Sequence, residues 1–157
     1  MYKKQSILLI IFLMFLFQVG VAQELKLPAI FSDNMVLQQK SNAPVWGWNL
    51  PGQEVKVTGS WNHKTVKVVT DNTGKWMVKL KTPGAGGPYS LMINSGKAIT
   101  FQNVMIGEVW VCSGQSNMEM PMVGWTNMPI LKSAETIKAS SKYPNIRLFN
   151  LQKKIAE

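Results

Sequence analysis

Apolar and polar residues alternate through Val55-Lys56-Val57-Thr58, through Val66-Lys67-Val68 and through Trp76-Met77-Val78-Lys79-Leu80. A period of two places successive side chains on opposite faces of a strand, whereas a helix of 3.6 residues per turn would scatter the same apolar set around its surface. The segments therefore read as half-buried strands. Turn signals cut them about every ten residues, at Pro51-Gly52, at Asp71-Asn72-Thr73-Gly74 and at Pro83-Gly84-Ala85-Gly86-Gly87-Pro88, which is the rhythm of a sandwich or barrel. Residues 23–104 are expected to form a small antiparallel β-sandwich domain. Roughly eighty residues can bury enough apolar surface to fold alone, with modest stability.

Near residue 105 the pattern changes. Met105 to Cys112 is almost continuously apolar, interrupted by Gly107-Glu108, as expected for a strand covered on both faces of a parallel sheet. A weak helical stripe from Ile130 to Ala139 must stop before Pro144, since the residue preceding a proline is pushed out of the helical region. Ile146 to Leu151 reads as a further strand. Strand, helix and strand make one βαβ unit, and an open parallel sheet usually needs several, so residues 105–157 are expected to be the opening of a larger α/β domain that the chain leaves incomplete.

Residues 1–22 have the form of a secretory signal peptide. Lys3-Lys4 precede an unbroken apolar run at residues 7–17, and Gly20-Val21-Ala22 offers small residues for cleavage. An apolar run of 11 residues is short against the roughly 20 needed to span a bilayer. The expectation is an exported protein, periplasmic or extracellular, with no stable membrane insertion once the leader is removed. Loss of Lys3 and Lys4 leaves 15 basic side chains against 8 acidic ones, a net charge of +7. These charges are spread singly, so they describe a solvated surface with at most a mild pull on acidic substrates, and a nucleic-acid partner is not expected.

Two scarce residues restrict the chemistry. Cys112 is the only cysteine, so no disulfide can form within the chain; it is read as a buried, inert thiol at a strand end or as the partner of a cysteine beyond Glu157. His63 is the only histidine and falls in a turn between two strands of the sandwich. One His and one Cys cannot supply the three or four ligands of an ordinary zinc site, so no such metal cofactor is expected.

The stretch Cys112-Ser113-Gly114-Gln115-Ser116-Asn117 then stands out, because small polar residues crowd the carboxyl end of an apolar strand. Ligands of open α/β sheets sit at such ends, and a serine on a tight turn there is reachable by a carbonyl carbon. Ser116 is placed like a nucleophile, with Gly114 allowing a sharp turn and the Ser116 N–H able to donate to an oxyanion. By spacing alone, an ordinary Ser-Gly turn fits as well.

The block "GEVWVCSGQSNMEMPM" (107–122) resembles the nucleophile segment of the sialate O-acetylesterase family, within the SGNH hydrolase superfamily, whose members include acetylxylan esterases. The resemblance extends over "LPAIFSDNMVLQQ" (27–39), "APVWGWNLPGQEVKV" (43–57), "TDNTGKWMVKL" (70–80), "GPYSLMI" (87–93) and "YPNIRLFNL" (143–151). It implies a β-sandwich preceding a hydrolase domain, with Ser116 as the nucleophile and Gly114, Gln115 and Asn117 shaping its turn. It also implies an acetylated sugar as substrate, most closely acetylated sialic acid, with acetylated xylan or another carbohydrate as the alternative. The family's downstream Asp-x-x-His pair and its further oxyanion donors find no match in the 157 residues, so the chain reads as truncated and inactive by itself.

A different class of function stays open. Trp46, Trp48, Trp61 and Trp76 all lie in the sandwich, where they either pack in the core or stack sugar rings on an exposed face, which would make a non-catalytic carbohydrate-binding module. The oligomeric state is left open.

Overall fold

The structure is a computed structural model and describes residues 25–151. The signal-peptide reading of residues 1–22 therefore lies outside the described residues, as do positions 152–157. Among the described residues seven strands come first: β1 (Val36–Gln38), β2 (Asn42–Trp48), β3 (Glu54–Gly59), β4 (Thr65–Val69), β5 (Lys75–Lys81), β6 (Gly86–Ser95) and β7 (Lys97–Gly107). The segments read as strands from their alternation fall in β3, β4 and β5. A small hairpin, β8 (Gly124–Trp125) with β9 (Met128–Pro129), and one helix, α1 (Ser133–Ser140), follow.

β1, β7, β6, β3 and β4 form a mixed sheet in that order, with β1 parallel to β7 and the other neighbours antiparallel. β2 and β5 form a separate antiparallel pair from Asn42↔Lys81 to Trp48↔Lys75. The two buried faces meet in a single core. Val55, Val57, Leu91, Ile93, Val104 and Ile106 come from the larger sheet, and Ala43, Val45, Trp76, Val78 and Leu80 come from the β2–β5 pair. The period of two thus survives folding: β5 buries Trp76, Val78 and Leu80 and exposes Lys75, Met77, Lys79 and Lys81.

The turns follow from their side chains. The Asp71 carboxylate accepts the N–H of Thr73 at 2.8 Å, the N–H of Lys75 at 2.9 Å and the Thr73 hydroxyl at 2.7 Å, closing the turn that carries the chain from β4 in one sheet to β5 in the other. Gly74 completes that turn at φ 78°, a conformation that glycine adopts without a Cβ penalty.

The second part departs from the sequence reading. β7 passes through residue 105 and ends at Gly107, so Met105 to Gly107 belong to the last strand of the β-rich unit. Residues 108–115 belong to no strand, and Trp110 and Val111 are 83% and 92% exposed instead of covered on both faces. Residues 146–151 form no strand either, and Leu148 is 96% exposed. The physical reason is that a strand exists through its ladder, and among the described residues neither segment pairs with another strand. The helix does form, and it ends before Pro144. The expected βαβ unit is therefore reduced to α1 between two extended apolar segments. Among the described residues, no helix is long and apolar enough to cross a membrane.

Candidate active site

The segment carrying the serines leaves the mixed sheet at the end of β7. Parallel pairing aligns Gln38 with Gly107, and the Gln39 N–H donates to the Gly107 carbonyl at 2.8 Å. Beyond that point the Glu108 carboxylate accepts the side-chain amides of Gln38 at 3.0 Å and Gln39 at 2.6 Å. These two donors, Gln38 foremost, hold the Glu108 carboxyl below the ordinary glutamate range, and nearby Lys40 adds a smaller pull in the same direction.

Ser116 opens a one-turn 3-10 helix, Ser116–Met118. The Met118 N–H donates to the Gln115 carbonyl at 2.9 Å, and the Glu119 N–H donates to the Ser116 carbonyl at 3.0 Å. A Cβ on Gly114 would come 2.8 Å from Met118 Cγ, so close approach within the turn favours glycine there. Ser116, Gln115 and Asn117 are all exposed, and the four expected turn residues are brought together on one short segment. An exposed hydroxyl on such a turn is open to an acyl carbon, but it needs a positioned base to become nucleophilic at neutral pH.

His63, the chain's one histidine, stands on a different element. It sits in the turn between β3 and β4 at φ 54°, exposed, with its N–H donating to the Gly59 carbonyl at 3.1 Å. Among the described residues, no hydrogen bond joins it to the Ser116 turn. Cys112 is exposed, contrary to its reading as a buried thiol, because the apolar segment around it has no covering layer. Among the described residues, no group of three or more His, Cys, Asp or Glu side chains is arranged to hold a metal.

The tryptophans divide against a sugar-stacking platform. Trp76 is buried, Trp46 meets the Phe31 ring edge-on at 4.8 Å, and Trp61 donates its indole N–H to the Lys81 carbonyl at 3.1 Å beside Tyr89. Of the four, Trp48 alone is exposed, at 37%. One ring at that exposure makes no extended aromatic face.

Two anchors escaped the sequence reading. The first is the Glu108 cluster. The second is Arg147, whose guanidinium donates to the Asn103 carbonyl, to Asn103 Oδ1 at 3.1 Å and weakly to the Met35 carbonyl at 3.4 Å. Asn103 in turn donates to Asn34 Oδ1 at 2.7 Å, so Arg147 ties the segment after α1 to the β-rich unit. A signal was present in the composition, because Arg147 is the only arginine among 17 basic residues.

No protein-family model matches the chain. Over 134 residues it is 34% identical to the sialate O-acetylesterase of Mus musculus, an overlap that covers 78% of this chain and 24% of that protein. The chain is a relative of the sialate O-acetylesterases. The human sialate O-acetylesterase is 32% identical over 130 residues, covering 76% of this chain and 24% of its own length. This chain thus spans about a quarter of the sialate O-acetylesterases it matches. The crystal structure of a carbohydrate acetylesterase from Xanthomonas citri superposes with a TM-score of 0.64 at 33% identity, over 74% of this chain and 26% of that one.

Proposed function

We propose that this chain is part of an exported carbohydrate O-acetylesterase, most closely one acting on acetylated sialic acid, and that Ser116 is its nucleophile. The observation that carries the reading is the 34% identity with a sialate O-acetylesterase over 134 residues. The exposed Ser116 turn supplies a group that fits the reaction. Ser116 Oγ adds to the acetyl carbonyl while a base takes its proton, and the Ser116 N–H donates to the developing oxyanion. Collapse expels the sugar oxygen, which takes that proton from the base and leaves as a hydroxyl. Water, deprotonated by the same base, then attacks the acetyl-enzyme, giving acetate and returning a proton to Ser116 Oγ. Gly114, Gln115 and Asn117 shape the turn.

In this reading the base comes from residues outside the sequence, since its one histidine stands in the β3–β4 turn. The β-rich unit is a sandwich whose two layers are the five-stranded sheet and the β2–β5 pair, and a common core supports it. Residues 108–151 then open an SGNH-type parallel-sheet domain, whose further strands would cover Val109 to Val111 and Ile146 to Leu151. The likeness to the Xanthomonas citri carbohydrate acetylesterase supports the broader substrate class, an acetylated carbohydrate, within which acetylated xylan is the second reading.

The test is acetate release from O-acetylated sialic acid and from acetylated xylo-oligosaccharide by the product of the complete reading frame that contains these residues. Turnover of the sialic acid ester is expected, and the 157-residue chain alone should be nearly inert because loss of the triad partners costs several powers of ten. Absence of acetate from every acetylated sugar would remove the esterase reading, and xylan-selective turnover would establish the second one.

A further inference from the structure

Gln38 and Gln39 are half-buried at the end of β1, and each uses both ends of its amide. Gln38 Oε1 accepts the Val109 N–H at 2.8 Å, and Gln39 Oε1 accepts the Ala85 N–H at 2.8 Å. A backbone N–H can only donate, so each glutamine must turn its oxygen toward it and its NH2 group the other way. Both NH2 groups meet Glu108, at Oε2 for Gln38 and at Oε1 for Gln39. The position therefore demands an acceptor on both of its oxygens. An ionised carboxylate meets that demand, whereas an amide or a protonated carboxyl would confront one glutamine with a donor.

This cluster joins β1, the loop after β5 and the start of the serine segment. Among the described residues, the Val109 N–H makes the last hydrogen bond to the β-rich unit before the turn at Ser116. We infer that Gln38, Gln39 and Glu108 form a clamp of positioning residues that sets where the nucleophile segment leaves the sheet, and so where Ser116 stands. None of the three touches the reacting atoms; each acts through residues 109–115. The inference rests on Ser116 being the nucleophile. The lowered pKa of Glu108 agrees with a carboxylate held ionised by these two donors and by Lys40.

The hydrogen-bond logic specifies a rescue. Glu108→Gln alone puts an NH2 group against the NH2 of Gln39, and flipping Gln39 would only transfer the conflict to the Ala85 N–H. Adding Gln39→Glu restores every bond: the new carboxylate accepts both the Ala85 N–H and the amide at 108, while the amide oxygen at 108 accepts Gln38. In the product of the complete reading frame, Glu108→Gln should lower kcat on a chromogenic acetyl ester roughly 10- to 100-fold, as a displacement of about 1 Å at a reacting group can. KM and the thermal midpoint should change little, and the Gln39→Glu/Glu108→Gln pair should recover kcat. Amide exchange gives a readout independent of turnover: protection of Val109 and Ala85 should fall in the single variant and return in the pair. Wild-type kcat and protection in Glu108→Gln, or a pair no better than the single variant, would overturn the clamp. A Ser116→Ala control separates the two failures, because activity surviving there removes the nucleophile while the exchange data still report whether the clamp exists.

Discussion

Ser116→Ala in the product of the complete reading frame should abolish acetate release, lowering kcat by roughly four to six powers of ten, the scale at which a serine nucleophile and its base act as a unit. The fold should be unaffected. Ser116 is exposed, its backbone carbonyl makes the bond that closes the turn, and its hydroxyl has no hydrogen-bond partner among the described residues. Surface changes of this kind usually stay within about 0.5 kcal/mol. Kinetics on a chromogenic acetyl ester, with thermal unfolding of the same preparation, separate loss of chemistry from loss of structure. A large fall in the unfolding midpoint would mean that Ser116 has a structural role the turn does not reveal.

A second large effect is expected in the core. Leu91 lies on β6 with no exposed surface, paired with Gly59 of β3 on one side and Phe101 of β7 on the other. Leu91→Ala should cost about 2–5 kcal/mol, the lost transfer energy together with the cavity left where strands on both sides limit collapse. Small domains have only about 5–15 kcal/mol in total, so the variant should lose a large share of its stability. Met92 is the internal control, since it is the next residue on the same strand, faces outward and is 39% exposed. Met92→Ala should change the urea midpoint little. Equal losses at the two positions would contradict the assignment of faces.

The β-rich half was legible because its information is local. Val55 and Val57, or Trp76, Val78 and Leu80, declare their shared face by spacing alone, and Asp71 and Gly74 declare the turn between strands. The partition of those strands into a five-stranded sheet and a separate β2–β5 pair is not local and could not be read. The segments 109–112 and 146–151 form no strand among the described residues for a related reason. An apolar run states that it needs cover, and whether it becomes a strand depends on an edge supplied from elsewhere.

The candidate site divides in the same way. Ser116 with Gly114, Gln115 and Asn117 was readable because the whole turn lies within a few residues. The Glu108 clamp was hidden by distance along the chain: 70 residues separate Gln38 from Glu108, and only the parallel pairing of β1 with β7 brings them together. Arg147 was hidden likewise, since its acceptors on Asn103 are 44 residues away.

The central claim, that acetyl transfer passes through Ser116, is tested most directly by rapid-quench mass spectrometry of the product of the complete reading frame after brief exposure to an excess of activated acetyl ester. The peptide containing Ser113 to Met118 should carry one acetyl group, placed on Ser116 by fragmentation, and the label should appear and decay at rates that match turnover. Acetate release at full rate with that peptide unlabelled, or with the acetyl group on Ser113 or Cys112 instead, would contradict the account.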